Sequence, residues 1–221
     1  LAQVSCTEQK VAISLYQRRC IKMVDRVTGT AVKFVGKCDY FAQNTIRDPR
    51  QMLVDKRDNS QLLVTDGETS IVHTVDIATG NVGTFAQSSS QLNAHCITQN
   101  RNGDVYVTSG QEVYKISYDG RAFSAVWTSS AYRIFNITFV AEQSFIVIEP
   151  NSFILRLVDL AANNSTVLEG ISTSCACKVR TRKCWNFMAS SLLLADNTLY
   201  VAFLWSIEKY TCKYIVYSAS F

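Results

Sequence analysis

The stretch CACKVRTRKCW, residues 175–185, brings three cysteines, four basic side chains and a tryptophan together in eleven positions. Three chemistries use such a set: thiolate coordination of zinc, thiol–disulfide exchange, or a stapled loop that presents cations. Zinc wants four thiolate or imidazole ligands in close pairs, usually Cys-x-x-Cys twice. Here the close pair is Cys175-x-Cys177, and the two histidines, His73 and His95, are remote in sequence. In an extended chain Cys175 and Cys177 point the same way and do not comfortably bond each other. One is therefore expected to pair with Cys184 and the other to reach a neighbouring element. Lys178, Arg180, Arg182 and Lys183 would then alternate between the staples, with Trp185 at their end. These five residues are the candidate binding set: a rigid electropositive projection suited to an acidic protein or a sulfated glycan. The competing reading is a solvated loop whose charges serve solubility.

Eight cysteines at 6, 20, 38, 96, 175, 177, 184 and 212 form an even set spread over 221 residues. Such a set reads as a disulfide framework and so as an oxidising compartment, secreted or surface-anchored. Three glycosylation sequons agree, beginning at Asn136, Asn163 and Asn164; Asn163 and Asn164 are expected in an exposed turn, and Asn136 partly shielded. The chain begins at Leu1 with no signal-type stretch, which reads as processed or trimmed. A net charge of +4 with 18% charged residues is too mild for a nucleic-acid binder. No apolar run reaches membrane-spanning length, since residues 192–205 are broken by Asp196 and Asn197. The 48% hydrophobic content is ample for a core, and no linker divides the chain, so one domain is expected over 1–221.

The elements that must position these residues are strands. Short β-branched and aromatic runs such as QLLVTD (61–66), IVHTVDI (71–77), DVYVTS (104–109) and SFIVIE (144–149) follow one another with turn residues between them. Laid over each other, they repeat. Asp25, Thr28 and Gly29 precede Asp76, Thr79 and Gly80 by 51 positions. In this Asp-x-x-Thr-Gly hairpin turn the Asp and Thr cap the backbone and the Gly takes positive φ. Asp119-Gly120 and Asn163-Asn164 fill the same place in later copies. Val11, Leu62, Val105, Phe145 and Leu199 mark equivalent strands at spacings of 51, 43, 40 and 54.

Periods of this length, with up to four strands each, predict an all-β fold, a single β-propeller. Residues 48–85, DPRQMLVDKRDNSQLLVTDGETSIVHTVDIATGNVGTF, resemble an NHL-type repeat, and the YWTD-type receptor propellers share the pattern. The likeness is partial over 9–36 and 91–128 and weak after 129. Five blades are favoured, over residues 1–46, 47–88, 89–128, 129–170 and 171–221, with six and one irregular blade as the alternative. NHL propellers usually have six. The fifth repeat lacks a last strand, and LAQVSC (1–6) is expected to complete it, bringing Cys6 near Cys184 or Cys212.

No Gly-x-Ser-x-Gly elbow, phosphate-binding glycine loop or His-Glu-x-x-His is present. The leading expectation is therefore an extracellular protein-recognition or adhesion module acting through loops. The NHL resemblance also implies an alternative, a metal-dependent hydrolase or lyase, which would draw on His73, His95 and aspartates such as Asp66, Asp76, Asp119 and Asp159. A lectin is the second alternative. No cofactor is called for, with a structural calcium in the channel left open. Oligomeric state and ligand are not legible.

Overall fold

The computed structural model describes residues 2–6, 10–15, 18–25, 27–39, 45–90, 92–130, 133–134, 136–149, 154–170, 188–195 and 198–204. Packing divides the chain into two compact units, Leu1–Ser109 with Val113–Trp127, and Gly110–Glu112 with Thr128–Phe221.

The first unit is built from three four-stranded antiparallel sheets, each an up-and-down meander in chain order. They are β1 (Ala2–Cys6) to β4 (Ala31–Val35) through β2 (Lys10–Leu15) and β3 (Cys20–Asp25); β5 (Pro49–Val54), β6 (Gln61–Asp66), β7 (Ile71–Asp76) and β8 (Val82–Gln87); and β9 (Ala94–Gln99), β10 (Val105–Ser109), β11 (Glu112–Ile116) and β12 (Phe123–Thr128). The first strands bring the sheets together: β5 lies against β1 and β2 on one side and β9 on the other. Second strands carry the most continuous apolar runs because both faces are covered, as in β6, where Leu62, Leu63 and Val64 are at most 1% exposed. Two buried clusters fill the spaces. One joins Ile21, Met23, Met52, Leu62, Val64 and Val75, and the other Leu63, Val72, Ile97, Val105, Val107 and Ile116.

The second unit holds a fourth four-stranded sheet, β13 (Asn136–Ala141), β14 (Ser144–Glu149), β15 (Ile154–Asp159) and β16 (Asn164–Gly170), and a hairpin of β17 (Met188–Ala195) with β18 (Thr198–Leu204). Again the first strands meet, β13 against β17. Phe145 to Ile148 of β14 are fully buried.

The third-strand turns are built as the sequence predicts. Asp25 Oδ1 accepts the N–H groups of Val27 and Thr28 at 2.9 and 2.8 Å and the Thr28 hydroxyl at 3.1 Å. Asp76 repeats the pattern with Ala78 and Thr79 at 3.1, 2.7 and 2.7 Å. Gly29, Gly80 and Gly120 hold φ of 69, 76 and 71°, and Asn163 takes the same place at 48°. Asp119 and Asp159 likewise accept turn N–H groups, from Arg121 and from Ala161 and Ala162. Asp76, Asp119 and Asp159 are therefore turn caps.

The N-terminal segment departs from expectation. Residues 2–6 pair with β2, Ala2 opposite Leu15 and Cys6 opposite Val11, so they open the first sheet instead of completing the last repeat. The short connection from Cys6 to Lys10 makes the local hairpin the cheaper loop to close. Among the described residues, no helix is long and apolar enough to cross a membrane.

Candidate functional site

The sequence-predicted binding set, Lys178, Arg180, Arg182, Lys183 and Trp185, lies outside the described residues, as do Cys175, Cys177, Cys184 and Cys212. Of the other cysteines, Cys20 and Cys38 are bridged, joining the start of β3 to the segment after β4. Cys96 is buried within β9, 4% exposed. Its side chain serves as a small apolar group in the packing. Asn163 and Asn164 sit exposed at the β15–β16 turn. Asn136, by contrast, is 2% exposed, and its Oδ1 accepts the Ile137 N–H at 2.8 Å. A glycan on Asn136 would have to open the sheet around it.

In the first unit, polar side chains gather at the first strands. Arg50 of β5 donates through Nε to Asp48 at 2.8 Å, and its Nη1 meets the imidazole of His95 on β9. The Arg50 and Asp48 side chains are 28% and 14% exposed, so the cluster is reachable from solvent. Behind it, Asp66 at the end of β6 is fully buried and accepts the N–H groups of Arg47, Asp48 and Glu68 at 2.8, 3.0 and 2.9 Å. Burial pushes the Asp66 carboxyl up, but the imidazole of His73, the backbone N–H groups of Arg47 and Glu68 and the Thr69 hydroxyl outweigh it, and its pKa stands at about 2. His73 Nε2 lies 3.4 Å from Oδ2, and neither ring nitrogen makes a well-aligned hydrogen bond. The backbone donors therefore hold the Asp66 carboxylate in place.

The same positions recur in the second unit, 83 residues on. Glu149 ends β14 as Asp66 ends β6, and Arg156 is the third residue of β15 as His73 is of β7. Glu149, 1% exposed, accepts the Ser129 hydroxyl at 2.5 Å and Arg156 Nε and Nη2 at 3.1 and 3.3 Å. An acid at the end of the second strand with a base on the third is thus a structural device used in both units. This weakens the case for His73 and Asp66 as a catalytic pair.

A second grouping forms where the turns of the first unit converge on Arg57. Asp55 accepts Arg57 Nε and Nη2 at 3.0 and 2.8 Å, the Arg57 N–H at 3.0 Å, and Gln99 Nε2 at 2.7 Å. The guanidinium stands 4.9 Å from the Phe85 ring centroid and 5.6 Å from that of Tyr118. Tyr118 itself is 87% exposed. Nearby, Lys115 donates to Asp104 at 2.7 Å and stands over the Tyr106 ring at 5.8 Å. The charges sustain one another: burial pushes the Asp55 carboxyl up, but Arg57 and Gln99 more than offset it, and Asp55 raises Arg57 in turn. Lys115 lowers Asp104. Sequence reasoning missed this grouping because its members lie on turns far apart in the chain. The signal available was Tyr118, an aromatic residue beside an Asp-Gly turn. Among the described residues, no group of three or more His, Cys, Asp or Glu side chains is placed to hold a metal ion.

Four-stranded antiparallel meanders that meet through their first strands are the blades of a β-propeller, and solved structures agree. The chain is similar to one in the crystal structure of a nidogen/laminin complex, with a TM-score of 0.69 and 11% identity over 90% of this chain and 70% of that one. It is also similar to a streptogramin B lyase, TM-score 0.64 and 12% identity over 99% of this chain and 68% of that one. A virginiamycin B lyase from Staphylococcus aureus gives 0.63 and 11%, over 98% and 68%. No family model matches the chain, and no curated protein matches it by sequence. The fold is an all-β propeller.

Proposed function

We propose that the chain is an extracellular recognition module that holds another protein through surfaces carried on a five-bladed propeller. The observation that carries this reading is the likeness, over 90% of the chain, to a propeller solved within a protein–protein complex. The Cys20–Cys38 bridge supports an oxidising compartment, and the exposed sequons at Asn163 and Asn164 fit it. The basic stretch 178–183 with Trp185 is the proposed primary contact, and an acidic protein is the partner it fits. Replacing Lys178, Arg180, Arg182 and Lys183 together with serine tests this. Binding of the extracellular protein that the wild type retains should weaken by about tenfold or more, and raised salt should mimic the change. The melting temperature should barely move, since an exposed charge contributes within about 0.5 kcal/mol. Unchanged affinity would reduce the stretch to a structural loop.

A second reading, an extracellular lyase or hydrolase, is favoured by one observation: the solvent-reachable Asp48–Arg50–His95 cluster on adjacent first strands. The lyase neighbours include a catalytically inactive histidine-to-alanine variant, similar to this chain with a TM-score of 0.64 and 12% identity. Purified wild type that turns over a substrate, with turnover abolished by His95→Ala, would establish this reading in place of recognition.

A further inference from the structure

We infer that Gly67 is a positioning residue for the Asp48–Arg50–His95 cluster: its bare Cα is the surface on which the Asp48–Arg50 pair lies. This rests on the lyase or hydrolase reading of that cluster and adds to it the residue that sets its geometry. Gly67 follows Asp66 at the end of β6 and is buried. Unlike Gly29, Gly80 and Gly120, it does not hold a left-handed φ, so backbone conformation does not demand glycine there. Space does. A Cβ at Gly67 would overlap Arg50 Nε and Asp48 Oδ2, and it would lie 2.5 Å from Arg50 Cζ. Unbonded carbons sit about 3.5–4.0 Å apart, so the pair and a side chain at position 67 exclude each other.

The backbone beneath the pair is fixed, which leaves the side chains as the part that must give. Asp66 Oδ1 accepts the Asp48 N–H at 3.0 Å, and the Gly67 N–H donates to the Asp48 carbonyl at 2.9 Å. Two consecutive turn residues thus hold both backbone groups of Asp48. The Ser14 hydroxyl donates to the Arg50 carbonyl at 3.0 Å. The Thr65 hydroxyl accepts the Gln51 N–H at 3.0 Å and donates to the Gln51 carbonyl at 3.1 Å. Gln51 Oε1 in turn accepts the Ile97 N–H at 2.9 Å, tying β5 to β9 two residues from His95. From this frame the Arg50 side chain crosses Gly67 to reach Asp48 through Nε and His95 through Nη1. A methyl group at position 67 would push the guanidinium off that path. A misplacement of about 1 Å is enough to cost about a hundredfold where a reaction depends on aligned groups.

The test follows the Arg50 Nε proton of the full chain by NMR, together with thermal unfolding. In wild type this proton, bonded to Asp48, should exchange slowly with water, and Gly67→Ala should speed the exchange by about tenfold or more. Gly29→Ala, where a Cβ meets nothing within 4 Å, should leave it unchanged. The melting temperature should fall in Gly67→Ala. Most of that fall should vanish when the change is made in Arg50→Ala, where the guanidinium is gone and Asp48 can turn aside. Unchanged exchange in Gly67→Ala, or an equal fall with and without Arg50, would overturn the assignment. If the wild type turns over a substrate, Gly67→Ala should lower kcat by about tenfold or more while Gly29→Ala keeps it, and an unchanged kcat would overturn the positioning role. A wild type that turns nothing over would end the lyase or hydrolase reading alone, since the exchange and unfolding results decide the hold of Gly67 on Arg50 without it.

Discussion

The carboxylate of Asp66 accepts N–H groups from Arg47 and Asp48, nineteen and eighteen residues earlier, and from Glu68 two residues later. One fully buried side chain thereby fixes the entry to β5 against the end of β6. Replacing it with asparagine removes the charge that these donors face, and a cost of about 2–3 kcal/mol is expected from urea unfolding. The pH dependence has a definite sign. The native pKa of about 2 lies below the ordinary value of 3.8, so this stabilisation is complete above about pH 4 and is lost as pH falls towards about 2. Wild type should lose about 2 kcal/mol across that interval through this group, and Asp66→Asn should lack that part of the loss. Identical acid sensitivity in both proteins would show that other carboxylates govern acid unfolding. The equivalent pair in the second unit makes a sharper prediction. Removing the Arg156 head group as Arg156→Met takes the guanidinium from Glu149, 1% exposed, and should cost about 3–5 kcal/mol. At this scale the sequence offers the residue types but not their company. Asp66 reads as one more turn aspartate, and nothing nearby in sequence says that two of its donors lie before the preceding strand.

The turn glycines show why equivalent residues in a repeat are not energetically equal. Gly29 and Gly80 hold nearly the same φ and nearly the same hydrogen bonds, yet their surroundings differ. A Cβ at Gly29 would meet nothing within 4 Å, whereas one at Gly80 would lie 2.7 Å from the Phe34 carbonyl oxygen. Gly120 repeats this against Phe85, which follows Phe34 by 51 positions, the spacing between Gly29 and Gly80. Each of these two turns therefore abuts the last strand of the preceding sheet. Gly29→Ala should cost about 1 kcal/mol, the strain of left-handed backbone alone. Gly80→Ala and Gly120→Ala should cost about 2–4 kcal/mol, because strain and backbone overlap add. Thermal unfolding of the three variants checks this, and equal costs would mean that the sheets do not stack through these turns. The strands most legible in the sequence were second strands such as residues 61–66 and 144–149, whose apolar runs are covered on both faces. First strands such as β5 (PRQMLV) and β9 (AHCITQ) carry a weaker apolar signal, because polar residues interrupt them where they line the cluster around Arg50 and His95. The residues that hide a first strand from a pattern search are those that give it chemistry.

At the scale of the whole molecule, a repeat of roughly forty to fifty residues is what makes the propeller legible in the sequence. What the sequence left ambiguous were long-range pairings: which strand the N-terminal residues join, and which cysteines meet. Cys20 and Cys38 bridge across a separation of 18 residues. Replacing both with alanine should destabilise the chain by about 3 kcal/mol, measured under oxidising conditions. Expression in a eukaryotic secretory host should add glycan mass at Asn163 or Asn164 and none at Asn136, as peptide mapping after deglycosylation would show. A modified Asn136 would place that residue outside the sheet. That the chain works by holding another protein is tested most directly by isothermal titration with the extracellular protein it retains most strongly. Saturable one-to-one binding that weakens as salt rises is the predicted result. Heat that never saturates, together with turnover of a retained molecule that disappears in His95→Ala, would contradict recognition and make the chain an enzyme.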